Sequence, residues 1–90
     1  MNWYTCTVSK VGPSTEGKET TKPVIYIGLT DCAGKFTDYW FYAVDAGKRE
    51  MLAVALAAIN GQKQVEVYLE PPKPNNSPYT SVACLYIHAS

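Results

Sequence analysis

The chain has one histidine, no surplus of basic over acidic residues, and no apolar run long enough to cross a bilayer. Each shortage removes a class of function. His88 stands alone near the C-terminus, inside a strand-like pattern, where it is a bystander more readily than a catalytic base. Eight Lys and Arg balance eight Asp and Glu, and the isoelectric point is about 6.5. A general nucleic-acid binder or a polybasic membrane anchor needs a cationic surplus, and there is none. The only long apolar run, 51–59, is far too short for a membrane span. No signal peptide is visible, because Met1-Asn2-Trp3-Tyr4 leads straight into an alternating pattern. An exported protein is therefore expected here as its mature form carrying an added Met, secreted or periplasmic.

Cysteine is also scarce. Cys6, Cys32 and Cys84 lie too far apart for any metal-site spacing. They allow one disulfide and a leftover thiol, in three possible pairings, or three buried thiols in a reducing compartment. Paired carboxylates are no better supported. Asp31 and Asp38 flank a turn, where Asp serves turn chemistry. The run from Gly12-Pro13 to Gly17 lacks the fixed spacing and following helix of a phosphate loop. The expectation is no enzyme, no cofactor and no metal. Ninety residues make a single domain, 1–90, with a small core.

What is present begins with Asp45 to Gly61, DAGKREMLAVALAAING. Asp45 suits an N-cap and Asn60-Gly61 a C-terminal stop, and Ala and Leu between them favour about four turns of helix. Leu52, Ala55, Leu56 and Ile59 form the expected core stripe, widened by Met51, Val54 and Ala58. The remaining face carries Glu50, Ala53, Ala57 and Asn60. It shows mostly alanine where a solvated helix normally shows charge. One reading is an exposed alanine row chosen for helix propensity. The other is a second helix, from another subunit, packed on Met51, Ala53, Val54, Ala57 and Ala58.

Around this helix the chain alternates like strands. Trp3 to Val11 puts Tyr4, Cys6 and Val8 on one face, and Trp3, Thr5, Thr7 and Ser9 on the other. GPSTEGKETTKP follows as a loop. Val24 to Thr30 turns Ile25, Ile27 and Leu29 inward, with Gly28 marking a bulge or a sharp bend. Phe36 to Val44 sets Phe36, Trp40, Tyr42 and Val44 against Tyr39, Phe41 and Ala43, and reads as a strand covered on both faces. Gln64 to Glu70 turns Val65, Val67 and Leu69 in and Glu66, Tyr68 and Glu70 out. PPKPNNSPYT is a Pro-rich loop, and Thr80 to His88 closes the chain as a fifth strand. Three strands, a helix and two strands is the layout of a five-stranded OB-fold barrel, mainly β with one helix, order β-β-β-α-β-β. A cystatin-like or other α+β roll is the alternative, though there the helix usually comes early.

Seven Tyr and two Trp are a heavy aromatic load for this length. Trp3, Tyr26, Tyr39 or Trp40, and Tyr68 point away from the expected core. Rings beside hydroxyls and amides suit the C–H faces of sugars, and without cationic surplus they fit a neutral or mildly anionic glycan better than a nucleic acid. Cross-strand packing explains any one ring equally well. The candidate glycan residues are Ser14, Thr15 and Glu16 of the first long loop, with Trp40 and Tyr79.

Phe36-Thr37-Asp38-Tyr39-Trp40, the MLAVALAAI helix, Gly61 and the VEVYL strand resemble the B (binding) subunits of bacterial AB-type toxins, most nearly the Shiga type. The helix, Gly and strand segment is also similar to subtilase-cytotoxin B subunits. The likeness spans about Val24 to Leu69. Departures are extra residues between Trp40 and the helix, the Pro-rich fourth loop and a third cysteine. The resemblance implies an OB-fold subunit of a secreted homo-pentamer, with helices lining a central channel and cell-surface or soluble glycans bound at the periphery. It implies a glycan site near Trp40, a Cys6–Cys84 bridge with Cys32 left free, and room for a catalytic A-type partner subunit. Nucleic acid and membrane insertion are not expected. The competing expectation is a free-standing OB-fold module that binds a peptide or protein partner or single-stranded nucleic acid.

Overall fold

In a computed structural model that describes residues 2–14, 24–70 and 80–88, the chain is a closed five-stranded barrel with one helix. The side chains of Ser14 and Asp45 fall outside that description. The elements are β1 (Asn2–Ser14), β2 (Val24–Asp31), β3 (Tyr39–Ala43), a 3-10 turn at Asp45–Gly47, α1 (Lys48–Gly61), β4 (Gln64–Leu69) and β5 (Ser81–Ile87). The strands close in the order β1-β2-β3-β5-β4. All pairings are antiparallel except β3 with β5, which is parallel and short, Tyr42 opposite Ser81 and Ala43 opposite Val82. The expected OB-fold barrel and its element order are found.

The alternation read from the sequence fills the barrel. Ile25, Ile27 and Leu29 from β2, Val65, Val67 and Leu69 from β4, Cys6 from β1, Phe41 and Ala43 from β3, and Val82 and Leu85 from β5 are buried together. Phe36 joins them from outside β3, edge-on to Tyr4, Tyr39 and Phe41. Its expected place on the Trp40 face of the strand is corrected here. Asp38, between Phe36 and the strand, has φ of 53° and breaks the alternation. The expectation that both faces of β3 are covered also fails, since Tyr42 and Val44 are exposed.

The helix differs from its sequence reading at both ends. The α-helix starts at Lys48 after the 3-10 turn, with Gly47 as its cap residue. At the C-terminus Gln62 takes the left-handed conformation, φ 53°, and its N–H meets the carbonyls of Ala58 and Ile59. Its burial is also rotated. Ala55 and Ala58 are fully buried and Met51, Leu52 and Val54 pack partly against the core, whereas Leu56 is 44% exposed. Small side chains at the closest approach let α1 sit tight on β1 and β5. Met51, Val54 and Ala58, expected at an interface between subunits, face their own barrel. The exposed positions are Ala53, Leu56 and Ala57, with Arg49, Glu50 and Asn60 toward the two ends of the helix.

Candidate functional site

Two groups of polar and aromatic side chains stand on the outside of the barrel. The first forms where β1 bulges. Val8 lies opposite Leu29 and Lys10 opposite Gly28, so Ser9 is an extra residue and both Ser9 and Lys10 project over Gly28. Gly28, expected to mark a bulge or a sharp bend, lies opposite the bulge of β1 and supplies the room for it. A Cβ at Gly28 would meet Lys10 Cγ and Ser9 Oγ at 2.8 Å.

Ser9 and Lys10 converge on Asp38. The Ser9 hydroxyl donates to Oδ1 at 2.7 Å, Lys10 Nζ lies 3.2 Å from Oδ2, and the Asp38 N–H donates to Thr30 Oγ1 at 2.8 Å. The Ser9 hydrogen bond, then that of Lys10, holds the Asp38 carboxyl below its ordinary pKa. Lys10 Nζ also sits 4.4 Å from the centroid of the Trp40 ring, and Tyr26 meets that ring edge-on at 6.1 Å. An exposed carboxylate, a hydroxyl and an ammonium thus gather beside a half-buried indole. Of the aromatic pair left open by alternation, Trp40 points outward and Tyr39 packs on the core.

The second group is an aromatic row across β1, β4 and β5. Trp3 lies opposite Tyr68, with ring centroids 4.9 Å apart, and stacks near-parallel on Tyr86, 18° between planes at 5.9 Å. Glu66, the neighbour of Tyr86 in the ladder, lies 3.3 Å from His88 Nε2. An open cleft of about 480 Å³ continues from Trp3 along Tyr4, Thr5, Asp31, Cys32, Ala33 and Lys35. Asp31 is buried there for a structural reason: its carboxylate accepts the N–H groups of Ala33 and Lys35 and closes the turn after β2. Asp31 and Asp38 are therefore engaged separately.

Of the candidate glycan residues, Trp40 is at the first group. Ser14 is four residues beyond Lys10 on β1, about 13 Å along an extended strand, so its backbone is not brought to Trp40. Thr15, Glu16 and Tyr79 lie outside the described residues. The strands that follow the two long loops do not pair with each other but flank β3: Tyr42 lies opposite Tyr26 of β2 on one side and Ser81 of β5 on the other. Sequence reasoning missed Ser9, Lys10 and Asp38 as partners of Trp40, because only the β1 bulge and the Asp38 backbone bring them together. Tyr86 was missed as well. Its exposure follows from alternation with Leu85, and that signal was readable.

The cysteines are all free thiols. The expected Cys6–Cys84 pairing is corrected by the sheet order: Cys6 on β1 and Cys84 on β5 are separated by β4. Strands two apart stand about 9.6 Å from each other, beyond the roughly 7 Å Cα limit of a disulfide. Burial, then Asp31 and Cys32, push the Cys6 thiol up to about 12. Among the described residues no cluster of His, Cys, Asp or Glu is arranged to hold a metal, and no helix is long and apolar enough to cross a membrane. Comparisons with protein-family models, curated proteins and solved structures gave no match.

Proposed function

We propose that the protein is a non-catalytic glycan-binding module, related in design to the toxin B subunits it resembles, that assembles into a homo-oligomeric ring through α1. The observation that carries the glycan reading is the Trp40 group. A carboxylate accepts hydrogen bonds from two vicinal hydroxyls of a sugar, and the Lys10 ammonium donates to ring and hydroxyl oxygens. The Ser9 hydroxyl, its proton on Asp38, accepts from a sugar hydroxyl, and the indole packs against sugar C–H groups. The carboxylate is held ionised by its neighbours, ready to accept.

The ring reading rests on α1. Its outer face presents Leu56 between Ala53 and Ala57, a knob beside small residues that suits close packing against a second helix. Assembly also serves a weak sugar site, since linked copies raise avidity by about 10²–10⁴ without any new contact. A secreted or periplasmic location and a catalytic A-type partner belong to the same proposal, on the resemblance alone.

The test is a glycan array with the wild-type protein and the Trp40→Ala and Asp38→Ala variants, each checked for folding by circular dichroism. Selective binding that both substitutions abolish is the expected result. An array without hits, or hits that survive Trp40→Ala, would remove this site. A monomeric native mass would leave a free-standing OB-fold module.

A further inference from the structure

The aromatic row on β1, β4 and β5 is not used by the Trp40 site, and its chemistry differs. We infer that it is a docking surface for an extended, proline-rich peptide segment that carries a lysine. The rings come from strands two apart. Trp3 on β1 and Tyr86 on β5 are separated by β4, about 9.6 Å between strand axes, yet their ring centroids are 5.9 Å apart. The two side chains therefore lean toward one another over β4, above the half-buried Tyr68, and remain 49% and 58% exposed. Aromatic rings of this size left in water on a small barrel are a costly arrangement without a partner to cover them.

The polar groups on this face select the partner. Outward positions on the three strands carry Thr5, Gln64, Glu66, Cys84 and His88 beside the rings, and the adjoining cleft carries Lys35. Single-stranded nucleic acid needs cationic side chains as well as stacking rings, and the rings on the three strands have none beside them. What the face offers is flat aromatic surface, whose rings carry an indole N–H and phenol O–H donors, and the Glu66 carboxylate, which lies 3.3 Å from His88 Nε2. A polyproline II segment needs those features. It has no internal hydrogen bonds, so its carbonyls seek donors; its pyrrolidine rings pack on aromatic faces; and its rigidity lowers the ordering cost of binding. A lysine on that segment pairs with Glu66 in place of its contact with His88. The row and the adjoining cleft span three strands and the turn beyond, about 15 Å, which about five residues cover at ~3.1 Å each.

The experiment titrates the full chain, labelled with nitrogen-15, with a blocked synthetic peptide of five prolines and one lysine, and with the same peptide bearing glutamate for lysine. The two indole N–H resonances are followed, that of Trp3 being assigned from Trp3→Phe, and the backbone amides of β4 report binding in the variants. The expected result is saturable movement of the Trp3 resonance by the lysine peptide. Trp3→Ala or Tyr86→Ala should weaken binding about tenfold or more, and the glutamate peptide or Glu66→Gln about threefold. Trp40→Ala should leave peptide binding unchanged, which separates this surface from the proposed glycan site. No movement of Trp3 at millimolar peptide in the folded protein would overturn the inference. So would binding that survives Trp3→Ala, equal binding of both peptides, or movement of Trp3 by array glycans in place of the peptide.

Discussion

Lys10 and Gly28 face each other across β1 and β2 with no room for a methyl group between them. The Cβ of an alanine at 28 would lie 2.8 Å from Lys10 Cγ and 2.8 Å from Ser9 Oγ. Those two side chains are the ones that reach Asp38, and Lys10 is the one that lies over Trp40. The absence of a side chain at 28 thus positions the polar half of the Trp40 site. Gly28→Ala is expected to cost about 1–3 kcal/mol as the β1 bulge shifts, read as a lower urea midpoint at unchanged slope. The same variant should lose glycan hits, if the Trp40 site is the glycan site, even under conditions where it is folded.

The Asp38 carboxyl titrates below its ordinary value, first because of the Ser9 hydrogen bond and then because of Lys10. Ser9→Ala should therefore raise its midpoint more than Lys10→Met does, measured by carbon-detected NMR titration of the side-chain carboxyl. A lowered folded-state pKa contributes stability above the unfolded-state value and loses it as pH falls through the folded one. The difference in stability between wild type and Ser9→Ala should accordingly shrink below about pH 4. The order of the two shifts is the quantity that decides between hydrogen bond and ion pair.

The three thiols should react in sequence. Cys32 is exposed, Cys84 half-buried and Cys6 enclosed in the core. Alkylation followed by intact mass should label Cys32 first and Cys84 next, with Cys6 modified only on unfolding. Burial raises the Cys6 thiol to about 12, so the folded state holds it protonated where the unfolded chain would ionise. Stability from this group is complete below about pH 8.5 and is lost as pH rises toward 12. Cys6→Ser would place a hydroxyl in that apolar site, whereas Cys6→Ala should remove the alkaline loss with a small cavity cost. A Cys6–Cys84 disulfide in the native protein would appear as two blocked thiols, contrary to this order.

The two faces of α1 should answer oppositely to substitution. Ala53→Glu, Ala57→Glu and Leu56→Lys alter exposed positions, and they should leave the thermal midpoint within a few degrees of wild type while breaking any assembly. Ala55→Leu and Ala58→Leu insert volume at fully buried positions and should destabilise by about 1–3 kcal/mol. Native mass spectrometry and thermal melts of the same five variants separate the effects. Retention of the full assembled mass in Ala57→Glu would place any interface elsewhere.

Phe41 is nearly fully buried, packed edge-on with Phe36 at 5.4 Å. Phe41→Ala should cost about 3–5 kcal/mol, a large share of the stability of so small a domain. A variant with a near-normal urea midpoint would show that the barrel end collapses around the lost ring.

Much of the barrel was legible in the sequence, and the reason is local. In a strand the parity of a residue fixes its face, so Ile25, Ile27 and Leu29, or Val65, Val67 and Leu69, declare the inside of the barrel from their own spacing. The run of Leu and Ala declared a helix through propensity, and its position between the third and fourth strands narrowed the fold to a plugged five-stranded barrel. Parity fails where the backbone departs from regular extension. The extra residue at Ser9 and the positive φ of Asp38 each shift a frame, and both departures lie at the Trp40 site. Helix orientation was illegible for a different reason: a helix apolar on nearly every side has no unique stripe, so packing against β1 and β5 selected Ala55 and Ala58 and left Leu56 outside. Strand alternation and helix propensity are properties of neighbouring residues, and the sequence by itself determined those. Tertiary structure alone decided which distant residues share a surface, because Trp3, Tyr68 and Tyr86 meet only through the register of three strands, and a register is fixed by the whole barrel closing at once.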